Sequence, residues 1–243
     1  MSDANRFSLD GKPVEFQPGD TIMDAALRAG KYIPHLCHNP EFEPHGSCRV
    51  CMVAVNGRQV SACTWPAAPG LEVESASEPV QQQRRSLVQM LFVEGNHLCP
   101  ACELSGACQL QAVAYYTGML DPHFTHQFPR RAVDASHPDI AIDFNRCILC
   151  ELCVRASRDV DKKNVFAVSG RGIGSHLIIN SPSGRLGDSD FSVTDKAAHV
   201  CPVGAILHKR RAYRVPIGER LYDRQPIDIV GDVAAQEEQN HDG

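Results

Sequence analysis

No stretch of this sequence reaches the roughly 18 apolar residues that a membrane-crossing helix needs, so no membrane span is expected. The N-terminus, MSDANRFSLDGKPVEF, lacks the basic region and apolar core of an export signal; it is polar and alternates. Together these absences predict a cytoplasmic protein. Excess charge is also missing. The formal net charge of -5 gives no broad electrostatic bias toward nucleic acid. The basic run HKRRAYR at 208–214 has a single aromatic, Tyr213, and no recognition fold around it. It reads as a solvated face or a docking patch for an acidic partner. There is no Walker loop, no Ser–His–Asp arrangement and no flavin site. The G-x-G at Gly172 and Gly174 lacks the third glycine and the strand–turn–helix context of a dinucleotide fingerprint, and reads as a turn. Nothing here performs hydride chemistry by itself.

What the sequence does have is cysteine, 11 in 243 residues. An exported disulfide protein can be this rich, but the number is odd and no export signal is present. A chain with 43% hydrophobic residues is also long enough to fold without staples. Close C-x2-C spacings suit thiolates that bind a metal or a cluster. The cysteines form three groups: Cys37, Cys48, Cys51 and Cys63; then Cys99, Cys102 and Cys108; then Cys147, Cys150 and Cys153 with the distant Cys201.

The first group belongs to a unit expected over 1–77. Phe7, Leu9, Val14 and Phe16 alternate around Asp10-Gly11, a hairpin signal. A helix follows, capped by Asp20 or Thr21, with Met23, Ala26 and Leu27 as its apolar stripe and Gly30 at its end. Strands are expected at 49–55 and 58–62 around Asn56-Gly57, with a short strand at 71–74. The loop from Cys37 to Cys51 supplies three thiolates and Cys63 a fourth, which suits a [2Fe–2S] cluster. Gly46 permits close backbone approach, and Ser47 offers a donor to cluster sulfur. A four-cysteine zinc site is the rival, although zinc sites usually pair two short knuckles and only one C-x2-C stands here.

A helix is expected over 78–94, with Leu87, Met90 and Leu91 facing a core and the polar QQQRRS, including Arg84 and Arg85, forming a solvated face. It leads into the second group, within a small helical unit over 78–118. Three cysteines leave a [4Fe–4S] cluster one ligand short. His97, two residues before Cys99, is the histidine nearest to them; the alternative is a labile iron or an external ligand. His35, His38 and His45 compete only if the first two groups are neighbours.

Residues 119–138, rich in Pro, His and Arg, read as a linker. The third unit, expected over 139–215, opens with the alternation of Ile140, Ile142 and Phe144. Its C-x2-C-x2-C run and the distant Cys201-Pro202 resemble one half of a bacterial ferredoxin, hence one further [4Fe–4S] cluster. Strand-like stretches at 165–168 and 176–180 suggest that the insertion forms a hairpin. Residues 216–243 read as a flexible or partner-docked tail, acidic from 229 onward.

The three groups in this order, with LFVEGNHLCPACELSGACQLQAVAYY at 91–116, resemble the N-terminal cluster-binding region of the large iron–sulfur subunit of respiratory complex I. That region also occurs in some iron-only hydrogenases and NAD-linked formate dehydrogenases. Within this group the chain is similar to the diaphorase gamma subunit of cytoplasmic NAD-reducing nickel–iron hydrogenases, whose short length it shares. The resemblance spans roughly residues 5–215. It implies an α+β fold: a β-grasp [2Fe–2S] ferredoxin-like domain, a small helical cluster-binding domain and a C-terminal ferredoxin-like [4Fe–4S] domain. It implies Cys37, Cys48, Cys51 and Cys63 on the [2Fe–2S] cluster. Cys99, Cys102 and Cys108 would hold the histidine-ligated [4Fe–4S] cluster, and Cys147, Cys150, Cys153 and Cys201 the other [4Fe–4S] cluster.

One departure stands out. In complex I the ligand histidine stands four residues before the first cysteine of its group, a place held here by Gly95; the histidine here is His97. The resemblance further implies a partner subunit that binds FMN and NAD, and the small and large subunits of a nickel–iron hydrogenase. This chain would carry electrons between them without a catalytic site of its own. Rival readings are a relay subunit of an NAD-linked formate dehydrogenase or complex I relative, and a zinc-binding scaffold.

Overall fold

The structure, a computed structural model, describes residues 5–232. Strands β1 (Arg6–Leu9) and β2 (Lys12–Glu15) pair antiparallel and turn Phe7, Leu9 and Val14 inward. Asp10 and Gly11 between them both take positive φ, 49° and 74°, the mirror-image turn that matches strand twist. The Asp10 carboxylate then accepts the backbone N–H groups of Ser75 and Ala76, tying this turn to the far end of the unit. Helix α1 (Ile22–Arg28) starts at Thr21, which forms a capping box with Asp24. It buries Ile22, Met23, Ala25 and Ala26.

Strands β3 (Met52–Val55) and β4 (Arg58–Ser61) flank the Asn56–Gly57 turn, where φ is again positive at both residues. Strand β3 starts later than position 49 because Arg49 is left-handed, at φ 59°. Strand β5 (Glu72–Glu74) enters between β1 and β3. The sheet order is β2-β1-β5-β3-β4, with β1 and β5 parallel and the other pairs antiparallel. This is the β-grasp arrangement.

Helix α2 (Glu78–Glu94) occupies the predicted span, and Leu87 and Leu91 pack against the middle core as expected, but the buried face is wider than the apolar stripe. Val80, Arg84, Val88, Gln89 and Val93 are buried, whereas Met90 is 42% exposed. The reading of Arg84 as a solvated charge is therefore corrected. Its guanidinium is fully buried and donates to the carbonyls of Val50, Met52 and Ser75 and to the Ser75 hydroxyl. Arg85 is likewise engaged, donating to the Thr117 carbonyl. Helix α3 (Gln109–Tyr116) buries Leu110, Ala112, Val113 and Ala114 in the middle core.

Residues 119–138 are fastened rather than a free linker. Met119 is buried, Gln127 N–H donates to the Val93 carbonyl, and the Asn96 side chain donates to the Pro129 carbonyl. Within this segment β6 (Val133–Asp134) joins β7 (Ile140–Asp143) and, later in the chain, β10 (Ile206–His208) in an antiparallel sheet of order β10-β7-β6. Helix α4 (Leu152–Arg155) runs into a π-helical turn at Ala156–Val160. The insertion before Cys201 forms the expected hairpin, β8 (Phe166–Ser169) with β9 (His176–Ile179). The basic run is partly used internally: Lys209 donates to the carbonyls of Ala135 and His137, and Arg210 pairs with Asp139.

The tail reading also needs correction as far as the structure reaches. Tyr222 N–H donates to the Gly106 carbonyl and Arg220 to the Ser105 carbonyl. Helix α5 (Ile227–Val230) buries Ile227 in the middle core, and Asp232 pairs with the buried His35. The remaining tail, 233–243, and residues 1–4 lie outside the described residues. Each unit has an apolar core, but the cores meet. Cys37 and Phe42 belong to the core of the third unit, and Cys48, Cys147, Ile148 and Cys201 pack against both that core and the middle one. No helix among the described residues is long and apolar enough to cross a membrane.

Candidate iron–sulfur cluster sites

All eleven cysteines are free thiols. In the first group they meet in two pairs. The backbone N–H of Cys48 lies 3.4 Å from Cys37 Sγ, and Cys51 Sγ lies 3.4 Å from Cys63 Sγ. Three of the four are buried. Two-plus-two pairing suits a dinuclear cluster, in which each iron takes two ligands. A hydrogen bond from the Cys48 side chain, aided by the backbone N–H groups of Cys48 and Ser47, pulls the Cys37 thiol down, while Cys48 is pushed up. The Ser47 contribution thus comes from its backbone. Gly46, at φ 69°, makes the turn that brings this loop against Thr64.

In the second group Phe92, His97, Cys99, Cys102, Cys108 and Arg146 line one cavity. Cys99 opens a short turn at Cys99–Ala101, and Cys108 stands at the N-terminus of α3. His97 Nε2 is buried there with no hydrogen-bond partner. Burial, reinforced by the Arg146 charge, pushes its pKa down to about 4, so the imidazole is neutral at neutral pH and keeps a lone pair for a metal. An ideal Cβ at Gly95 would stand 2.5 Å from that same Nε2. The His97 ring tip therefore fills the space that a side chain at position 95 would occupy. The cavity lining includes none of His35, His38 or His45. His35 and His38 are buried against one another, with ring centroids 5.3 Å apart, and His45 reaches Glu151.

In the third group Leu149 and Glu151 alternate with the cysteines at φ 53° and 59°. Left-handed backbone at a bulky leucine is costly, by about 1–3 kcal/mol, and such strain collects at functional sites. Charge repulsion from Cys147 and Cys201 helps to raise Cys150, and repulsion from Cys150, Cys147 and Cys201 helps to raise Cys153. Burial pushes Cys147 up to about 11 and also raises Cys150, Cys153 and Cys201. Buried thiols without compensating charge resist ionisation; iron supplies that charge.

Two arginines absent from the sequence reading join the groups. Arg155, two residues after Cys153, donates to the carbonyls of Cys37 and Glu43 and lies over the Phe42 ring. Arg146, next to Cys147, reaches Cys102 Sγ at 3.6 Å. Flanking cysteines offered the only signal for either. Among the described residues no three His, Cys, Asp or Glu side chains converge on a point where one metal ion could sit.

Fold and donor sets define an iron–sulfur protein with three cluster-binding modules. Family comparison agrees module by module. Residues 3–78 match a 2Fe-2S iron-sulfur cluster binding domain, 84–123 the NADH-ubiquinone oxidoreductase-G iron-sulfur binding region, and 140–207 a 4Fe-4S single cluster domain. The chain is 40% identical to the gamma subunit of the NAD-reducing hydrogenase HoxS of Cupriavidus necator, over 91% of this chain and 94% of that protein. A crystal structure of an NAD+-reducing [NiFe]-hydrogenase in the H2-reduced state contains a chain that superposes with TM-score 0.92 at 51% identity. The match covers 96% of this chain and 99% of that one. The mitochondrial NADH-ubiquinone oxidoreductase 78 kDa subunit of Neurospora crassa is 30% identical over 92% of this chain but only 30% of its own length. The chain belongs to the family of gamma subunits of NAD-reducing hydrogenases.

Proposed function

We propose that this chain is the electron relay of a cytoplasmic complex that couples hydrogen oxidation to NAD+ reduction. In this reading Cys37, Cys48, Cys51 and Cys63 hold a [2Fe–2S] cluster. His97, Cys99, Cys102 and Cys108 hold one [4Fe–4S] cluster, and Cys147, Cys150, Cys153 and Cys201 a second. Its partners are a subunit carrying FMN and NAD on one side and the nickel–iron hydrogenase subunits on the other. The observation that carries this reading is the near end-to-end correspondence with the hydrogenase gamma chain. The complex I relative is less similar over the same region, 30% identical against 40% for the hydrogenase chain, which favours the hydrogenase.

Bound at these sites, the clusters supply one-electron carriers between a two-electron hydrogen site and a two-electron flavin site. The chain's own residues do the rest. Buried thiols and the neutral His97 fix the carriers and keep water away. Arg155 ties the first cysteine loop to the third group, and Arg146 ties the third to the second, so the third group is bonded to both others. That arrangement supports a transfer order first–third–second, unlike the order along the chain.

Purifying the native complex and identifying its subunits tests the proposal. Flavin-dependent NAD reduction with hydrogen should appear in the complex and be absent from the pure chain. A molybdenum- or tungsten-containing partner in place of the nickel–iron subunits would assign the relay to formate oxidation instead.

A further inference from the structure

We propose that Arg146 sets the reduction potential of the cluster held by His97, Cys99, Cys102 and Cys108, through its hydrogen bond to the Cys102 sulfur. The inference rests on the ligand reading above. Arg146 Nη1 lies 3.6 Å from Cys102 Sγ and 3.3 Å from the Gly204 carbonyl, and pairs with the Glu103 carboxylate. Its Nε lies 3.0 Å from Asp143 Oδ2. The guanidinium is thus fixed from three sides: by the neighbour of Cys102, by the end of β7, and by the turn after Cys201. Its side chain is only 17% exposed, so water screens it weakly.

The close approach is built into the backbone. An ideal Cβ at Gly204 would stand 2.8 Å from Cys102 Sγ, so a larger residue there would displace the sulfur from its place beside Arg146. The cationic field also reaches the other ligands of the site, since the Arg146 charge is among the causes that hold His97 neutral.

Reduction adds one electron to a cluster and places part of the new negative charge on its thiolate sulfurs. A cation that donates to one of those sulfurs stabilises the reduced form more than the oxidised form, and the potential rises. Glu103 opposes this by offsetting the guanidinium charge. Arg146 and Glu103 should therefore move the potential in opposite directions. A purely structural strut would have no such sign rule.

The test is EPR-monitored redox titration of the full chain with its clusters loaded. Cys102→Ala first identifies the signal that belongs to this site. If it removes none of the [4Fe–4S] signals, the ligand reading falls, and this proposal with it. With the signal assigned, Arg146→Met should lower that cluster's potential, Arg146→Lys should lower it less, and Glu103→Gln should raise it. An intact cluster with wild-type potential in Arg146→Met overturns the proposal, as do shifts of the same sign in Arg146→Met and Glu103→Gln. If Arg146→Met does not retain the cluster, Glu103→Gln decides alone: a rise supports the role, and an unchanged or lowered potential overturns it.

Discussion

Arg84 brackets Cys51: its guanidinium takes the carbonyl of the residue before that cysteine, Val50, and of the residue after it, Met52. Burial pulls the Arg84 pKa down to about 10, which still leaves it charged at neutral pH. Its remaining donors go to Ser75, so one side chain locks α2, the Cys51 loop and the end of the first unit together. Arg84→Ala strands three buried carbonyls. The expected cost is about 3 kcal/mol or more, since each lost charged hydrogen bond is worth about 1.5–3 kcal/mol. The [2Fe–2S] absorbance and circular dichroism should be lost first on warming. Wild-type melting of both signals in this variant would contradict the clamp.

His97 is the proposed fourth ligand of the second group. A neutral nitrogen in place of an anionic thiolate makes a site less negative, so His97→Cys should keep four irons but lower the potential. His97→Ala should leave the cluster labile or with an exchangeable ligand. Nitrogen hyperfine spectroscopy of the wild type should show a histidine coupling. Its absence, with unchanged potentials in both variants, would place the fourth ligand elsewhere.

Acid should oppose cluster assembly. Burial raises the thiol pKa of Cys108 to about 12 and of Cys147 to about 11, and also raises Cys99, Cys150, Cys153 and Cys201. These thiols are protonated at neutral pH until iron displaces the protons, so binding releases protons and strengthens as pH rises. For the cluster-free chain the sign is opposite. Raised folded values give stability that is present below the thiol's unfolded value near 9 and is lost as pH climbs through the folded values toward about 12. Reconstitution followed by absorbance should be faster at about pH 8.5 than at about pH 6.5. A flat profile would contradict this account of the ligands.

The C-terminal segment should protect the second group. Ile227 is 1% exposed, and the backbone of Tyr222 and the side chain of Arg220 bind the carbonyls of Gly106 and Ser105, between Cys102 and Cys108. Ile227→Ala should cost about 2–5 kcal/mol if the site cannot collapse. It should also speed hydrogen exchange at 105–108 and the loss of that cluster's EPR signal in air. Unchanged exchange there would show that the segment lies against the site without supporting it.

Legibility followed the range of the signal. Turn pairs such as Asp10-Gly11 and Asn56-Gly57 act locally, and both hairpins formed where they were expected. The cysteine spacings divided the chain into its three modules for the same reason. The span of α2 was equally clear, but its inward face only in part. The apolar stripe found Leu87 and Leu91, which pack against the middle core, but it included the exposed Met90 and missed Arg84, a polar residue at a buried position. Arg84 is buried because its partners are backbone carbonyls far away in the chain, and no side-chain pattern reveals those. Residues 119–138 escaped in the same way, held by bonds such as Asn96 to Pro129. Residues 216–232 read as flexible or partner-docked because their composition is polar, yet one isoleucine and a few hydrogen bonds hold them against this chain's own middle unit. Arg146 and Arg155 carry no spacing signature beyond their neighbouring cysteines, and only the fold brings them to Cys102 and Cys37.

Iron and acid-labile sulfide analysis of the fully loaded chain, with zinc measured in the same sample, tests the central claim most directly. One [2Fe–2S] and two [4Fe–4S] clusters predict about ten irons and about ten sulfides per chain, without stoichiometric zinc. A reproducible content near four irons at demonstrated full occupancy, or stoichiometric zinc with no sulfide, would contradict the three-cluster relay.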